Sequence, residues 1–253
     1  MHRARDSVVL GLALPSGGAV RTTWTAPDGQ ARGWAWVQHG FARRGDDLAG
    51  LAGLLNRAGF AVVRPDVASW RPRRSMHDTG WLTEVALTLG RAVDSGLPQG
   101  RGVAADGPWV LAGHSAGAAV VTHGAACLGA RHGAAPVASL ILLDPVDTVG
   151  GLLTAALGSG DVASSVHVHA CRPSRCNRHG ATVGLLDERG WPVTWHPGLA
   201  HPDPERIPPD AQAGSVPGPS PWLARVCGEP GDPADIAELA RLVRAQACAD
   251  AAL

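Results

Sequence analysis

The sequence predicts the doubly wound α/β class, with a mostly parallel central sheet, helices on both faces and little or no lid. Short apolar runs such as "FAVVRPDV" (60–67) and "ASLILLDP" (138–145) alternate with longer amphipathic stretches, as a parallel sheet covered by helices requires. At 253 residues, 45% hydrophobic and 17% charged, the chain is long enough to bury one large core and has a globular composition. Neither an internal repeat nor a dividing linker is evident, so residues 1–253 read as a single domain.

Taken in order, "VVLGLALP" (8–15) and "VRTTWTAP" (20–27), on either side of Ser16-Gly17-Gly18, read as an antiparallel hairpin. "GWAWVQHG" (33–40) reads as the first central strand, and 46–57 as a helix that ends before Gly59. The strand 60–67 follows, then a helix over "WLTEVALTLGRAV" (81–93), the strand "PWVLAGHS" (108–115) and a helix over 116–131. "ASLILLDP" and "SVHVHACR" (165–172) are further buried strands, and the short stretch 149–157 between them leaves little room for a lid. Asp187 falls in the next predicted helix and 193–195 is the last strand. A Pro/Gly-rich loop over 202–221 leads to a closing helix from Pro233 to about residue 249, entered through Asp232 as N-cap with proline at the first helical position.

All 22 basic residues are Arg, balanced by 22 acidic ones, so the formal net charge is zero and gives no reason to expect nucleic acid or an anionic membrane as partner. The absence of Lys and Tyr fits the codon usage of a GC-rich, bacterial genome. The basic start is followed by an apolar run broken at Gly11 and stopped at Pro15, which reads as a first strand rather than a signal peptide. No apolar segment reaches the roughly 18 residues of a membrane span, so a soluble protein is expected. The five cysteines are scattered, which suits a reducing cytoplasm, with one bridge, Cys176 to Cys227, open as an alternative.

"GHSAG" (113–117) matches G-x-S-x-G, in which a serine sits on a tight turn between a strand and a helix. So short a pattern is weak alone, but here it follows the apolar "WVLA" and precedes the small-residue helix "AGAAVVTHGAA". Ser115 is therefore the candidate nucleophile, with His114 packed beside the turn. Oxyanion donors are expected from the backbone N–H of Ala116 and from Phe41 in "QHGF" (38–41), while His39 reads as structural. The base belongs late in the chain, in a loop after the last strand. His201 in "VTWHPGLAHPDPE" (193–205) meets that requirement better than His196, which still lies at the strand's end.

The acid most often follows the strand that here is "SVHVHA", yet no Asp or Glu appears there before Asp187. The preceding strand instead runs into "LLDPVD", with Asp144 at its end and Pro145 stopping it, on the sheet edge where such sites are built. Asp144 is the expected acid, holding one imidazole nitrogen so that the other accepts the serine proton. Asp147, farther out, is the alternative, and its plainer role is to cap the following turn.

With these residues in place, the chain resembles the α/β-hydrolases, and more narrowly their chlorophyllase-related branch, through "QHGF", "GHSAG", "LLDPVD" and "AHPDPE" over residues 36–205. That resemblance implies the α/β-hydrolase fold, a serine esterase or lipase-like activity on a small-molecule ester, and the first aspartate of D-P-V-D as triad acid. Ala116 and Ala118 stand where the plant enzymes have Arg and Gly, and "DPVDT" replaces D-P-V-D-G, so chlorophyll is not implied as substrate. "CNRHG" (176–180) is similar to a C-N-x-x-G loop of bacterial relatives and is given no role. Acyl transfer on the same triad and a silent, binding-only version of the fold are the alternatives to ester hydrolysis. No metal or nucleotide motif is present, so no cofactor is expected. Trp70 and Trp81 bracket a long loop, 69–81, that could rim a pocket, and Arg71, Arg73 and Arg74 within it read as solvated surface.

Overall fold

The computed structural model describes residues 7–71, 74–96, 107–131, 137–147, 151–158, 162–208 and 221–252. The basic start of the chain, Arg73, Thr148 and the 209–220 part of the Pro/Gly-rich run lie outside the described residues. Eight strands form one sheet: β1 (Ser7–Ala13), β2 (Ala19–Thr25), β3 (Gly33–Gln38), β4 (Phe60–Pro65), β5 (Trp109–His114), β6 (Val137–Leu143), β7 (Ser165–Cys171) and β8 (Val193–His196). Their spatial order is β1-β2-β4-β3-β5-β6-β7-β8. The β1–β2 hairpin is antiparallel and β2 meets β4 antiparallel, whereas β3 to β8 pair in parallel.

The helices are α1 (Ala49–Arg57), α2 (Thr79–Asp94), α3 (Gly117–Gly129), α4 (Leu152–Gly158), α5 (Ala181–Glu188), α6 (Pro221–Cys227) and α7 (Pro233–Asp250). The helix expected from residue 46 is split: Gly45–Leu48 is a 3-10 turn at whose entry the Arg44 amide donates to Asp47 and the Gly45 amide to Asp66, and α1 proper begins after it. Two apolar clusters fill the two faces of the sheet. One joins α2, α3 and α4 to strand residues such as Trp24, Trp34, Trp36 and Leu142, and the other joins α1 and α7 to Val37, Val62, Ile141 and Leu143.

Strands β3 to β6 are buried at every position, the reason their sequences read as near-continuous apolar runs. Trp24, Trp34, Trp36 and Trp109 are core residues, and Trp34 stacks on Trp109 at 6.0 Å between ring centroids. No described helix is long and apolar enough to cross a membrane. Cys176 and Cys227 form a disulfide that ties the loop after β7 to the end of α6. Such bonds persist in oxidising compartments, so the cysteines no longer argue for a reducing cytoplasm.

Candidate active site

The parallel strands bring three loops to one edge of the sheet. The first is the turn between β5 and α3. Ser115, with φ 56°, occupies the left-handed region that only glycine enters freely, and its amide donates to the Leu143 carbonyl at 3.0 Å. The glycine two residues on permits this turn. A Cβ on Gly117 would lie 2.4 Å from the His39 carbonyl oxygen and 2.5 Å from that of Gln38, so the first turn of α3 packs directly on the end of β3.

That same contact draws the loop after β3 over the serine. A Cβ on Gly40 would meet Ser115 Cβ at 2.8 Å, so the close approach of the two loops is what requires glycine there. Phe41 follows, and neither its amide nor that of Ala116 donates a hydrogen bond among the described residues. His39 is structural, as expected: its Nδ1–H donates to the Gly40 carbonyl at 2.8 Å and its Nε2 accepts from the Val67 amide at 3.1 Å. Burial holds this imidazole below its ordinary pKa, which suits a ring that must stay neutral to accept.

The second loop leaves β6 at Asp144, fully buried, with φ 42°. Its Oδ1 accepts from the Cys171 amide at 3.0 Å, and its Oδ2 accepts from Asn177 Nδ2 at 3.0 Å and faces His201 Nδ1 at 2.5 Å. The strand that carries no acid of its own, β7, thus supplies an N–H to the acid of its neighbour. Asp147 does not share this site. Its carboxylate takes the amides of Leu153 and Thr154 at 2.9 and 3.2 Å, and so caps α4.

The third loop follows β8 and carries His201, whose Nε2 lies 3.0 Å from Ser115 Oγ. His196 is not part of this group. It ends β8, and its Nε2 is 3.0 Å from His169 Nδ1. Burial pushes the His201 imidazole below its ordinary pKa, with the hydrogen bond to Asp144 working the other way.

Behind His201 stands His114. Its Nε2–H donates to the His201 carbonyl at 2.8 Å, and the two rings lie 4.9 Å apart. The other nitrogen of His114 faces Glu205 at 3.3 Å, short of a hydrogen bond's geometry, and Glu205 takes Arg43 Nε at 2.9 and 3.0 Å. Burial alone raises the Glu205 pKa, but His114 and Arg43 outweigh it and hold the carboxyl below its ordinary value. The Arg43–Glu205 pair thereby fastens the loop after β3 to the loop after β8.

Asn177 is the site residue that sequence reasoning passes over. It is fully buried, with Nδ2 on Asp144 and on the Arg172 carbonyl (3.0 Å each) and Oδ1 accepting from the Ser174 and Gly180 amides. The only signal was "CNRHG" itself, a polar run next to a cysteine that proves to be bridged.

The arrangement is a carboxylate, an imidazole and a hydroxyl in one hydrogen-bonded line, which can move a proton from the hydroxyl to the ring. No family model matches the chain, and no curated protein does. Solved structures do. A thermostable carboxylesterase cloned from a metagenomic library aligns at 13% identity and a TM-score of 0.57, over 99% of this chain and 91% of that one. An esterase of Pyrobaculum calidifontis aligns at 16% identity and 0.56, over 96% and 86%. An α/β serine hydrolase without a lid, from Xanthomonas campestris, aligns at 17% identity and 0.53, over 77% and 84%. The chain has the α/β-hydrolase fold. Identities this low carry the fold and not the activity.

Proposed function

We propose that this protein is a serine hydrolase that cleaves carboxylic esters through an acyl-enzyme, with Ser115 as nucleophile, His201 as base and Asp144 as the acid that orients it. The continuous line from Asp144 Oδ2 through His201 to Ser115 Oγ, at 2.5 and 3.0 Å, carries this reading. The named activities of the structural neighbours, carboxylesterase and esterase, agree with it. The D-P-V-D element, with Asp144 at its head, is what supports the narrower chlorophyllase-related branch.

In the first half-reaction His201 Nε2 takes the Ser115 proton as Oγ bonds to the ester carbonyl carbon. The carbonyl oxygen becomes an oxyanion facing the Phe41 and Ala116 amides, both without another acceptor among the described residues. As the intermediate collapses, the C–O bond to the alcohol breaks and His201 returns its proton to that oxygen. Water, deprotonated by the same nitrogen, then attacks the acyl-serine, and as the acid is released His201 returns the proton to Ser115 Oγ. The Cys171 amide and the Asn177 side-chain amide hold the Asp144 carboxylate in position against the ring through both half-reactions.

The test is turnover of p-nitrophenyl acetate and butyrate alongside labelling by a serine-directed fluorophosphonate. Both are expected in the native protein, and Ser115→Ala should lose the label and at least about 10³-fold in turnover. Absence of both from the native protein would overturn the reading in favour of a binding role. The pH profile adds a sign. Catalysis needs neutral His201, whose pKa is pushed down by burial, so kcat/KM should hold on acidification until below the ordinary histidine value of about 6.5.

A further inference from the structure

We propose that an arginine-lined groove beside the Ser115 loop selects esters that carry an anionic group, a carboxylate in the first instance. The inference rests on the ester-hydrolase reading and names its substrate class. The groove encloses about 770 Å³, within the range of small-molecule sites. Its lining includes five arginines, Arg21, Arg43, Arg44, Arg71 and Arg74, against one carboxylate, Asp66.

Two of the five are already neutralised: Arg21 pairs with Asp66 at 2.6 Å and Arg43 with Glu205 at 2.9 Å. Asp66 is engaged further by the Gly45 amide at 2.7 Å. The guanidinium groups of Arg44, Arg71 and Arg74 meet no carboxylate among the described residues. The 69–81 loop therefore does not present Arg71 and Arg74 merely as solvated surface; both border a concave space. Arg74 is also seated by shape, since its Nη1 lies 2.6 Å from where a Cβ on Gly18 would stand, against the turn that joins β1 to β2.

The groove reaches the site already described. Ala42 and His39 line it, and between them Gly40 sits so close that its Cβ would be 3.3 Å from Ser115 Oγ. Two residues of backbone span at most about 7 Å, which puts the groove wall within about 10 Å of the nucleophile. An ester whose charge lies about four to six bonds from its carbonyl can hold that carbonyl at Ser115 and its anion among the free arginines. Beside them Trp70, 73% exposed, and Phe41 meet edge to face at 4.2 Å, offering apolar surface to the part between.

The experiment compares kcat/KM within pairs that differ only in charge. The p-nitrophenyl monoesters of glutaric and adipic acid are set against their methyl-capped forms, placing the anion on the acyl side. The second pair, 4-acetoxybenzoate against 4-acetoxybenzamide, places it on the alcohol side. The anionic member of at least one pair should be preferred about three- to tenfold, as two exposed ion pairs allow, and the preference should shrink in about 0.5 M NaCl. In Arg71→Ala/Arg74→Ala the ratio should fall to near one, while Arg241→Ala on α7 leaves it where it was. Ratios within twofold for both pairs in the native protein, or unchanged in the double variant, would overturn the proposal.

Calorimetric binding of 2-naphthoate against 2-naphthamide needs no turnover. If no ester is cleaved but naphthoate alone binds, and binding is lost in the double variant, the hydrolase reading fails and the anion site stands. Equal binding of the two probes would overturn the anion site by itself.

Discussion

Ser115 and Asp144 both hold their backbones at positive φ, 56° and 42°, a conformation that costs an L-residue about 1 kcal/mol or more. Strain at two members of one hydrogen-bonded line is retained because the carbonyls and amides around them leave no other path: the Ser115 amide goes to Leu143 and the Asp144 amide to His169. This gives a stability prediction that separates strain from contact. Ser115→Gly and Ser115→Ala both lose the hydroxyl, but glycine relieves the turn, so the glycine variant should be more stable by about 1 kcal/mol, the reverse of the usual order. Urea denaturation of the two checks it, and an alanine variant as stable as the glycine one would show the turn to be relaxed. The two aspartates of "LLDPVD" separate in the same way. Asp144→Asn should lower kcat by about 10³- to 10⁴-fold by favouring the wrong histidine tautomer. Asp147→Ala should keep most activity and lose about 1 kcal/mol of stability, as a helix cap does. Full activity in Asp144→Asn with loss in an Asp147 variant would reverse the assignment.

Among the elements, strands and long helices were legible because each is specified by its own residues: β3 to β6 are buried on both faces and read as apolar runs, and Asp232-Pro233 announces α7. The three members of the Asp144–His201–Ser115 line were legible for a related reason, since each stands at the end of a strand or just past one. Asn177 was not, because what gives it meaning lies 33 residues away in the carboxylate of Asp144. Helix α6 was hidden behind the Pro/Gly-rich run, and the split of α1 from its 3-10 start depends on Asp66, just past β4. The Asn177 loop now has a function to test. It is pinned on one side by the Cys176–Cys227 bridge and on the other by its bonds to Asp144 and Arg172. Asn177→Ala removes one charge-assisted hydrogen bond from the carboxylate, which should lower kcat about tenfold with KM little changed. Asn177→Asp should be worse, because it replaces the donor with a second carboxylate that repels Asp144. A KM effect with kcat intact would instead place the loop in substrate binding.

At the scale of the whole molecule, the sheet's second face is closed by α1 and α7, and the side-chain hydrogen bonds between α7 and β7 run through histidines. His169 Nε2–H donates to Gln246 at 2.9 Å while its Nδ1 meets His196, and His167 faces Asp250 at 2.7 Å. The His169 and His196 rings share one proton position between them, an arrangement that fails once both rings are protonated. Burial pushes His169 down to about 4, with the bond to Gln246 opposing and the neighbouring His196 and His167 adding to the fall. In the unfolded chain the same ring titrates near about 6.5. Between those values the unfolded state binds a proton that the native state refuses. The contribution of His169 is therefore complete above about pH 6.5 and is lost as the pH falls toward its folded value, at up to about 1.4 kcal/mol per pH unit. His39, His196 and His201 are shifted in the same direction by burial and add to the slope. Urea denaturation at pH 7 and pH 5 should show the loss. His169→Gln, which can keep a hydrogen bond to Gln246 but cannot titrate, should flatten the dependence by about one proton. An unchanged slope in that variant would mean that acid acts elsewhere than at the seam between β7 and α7.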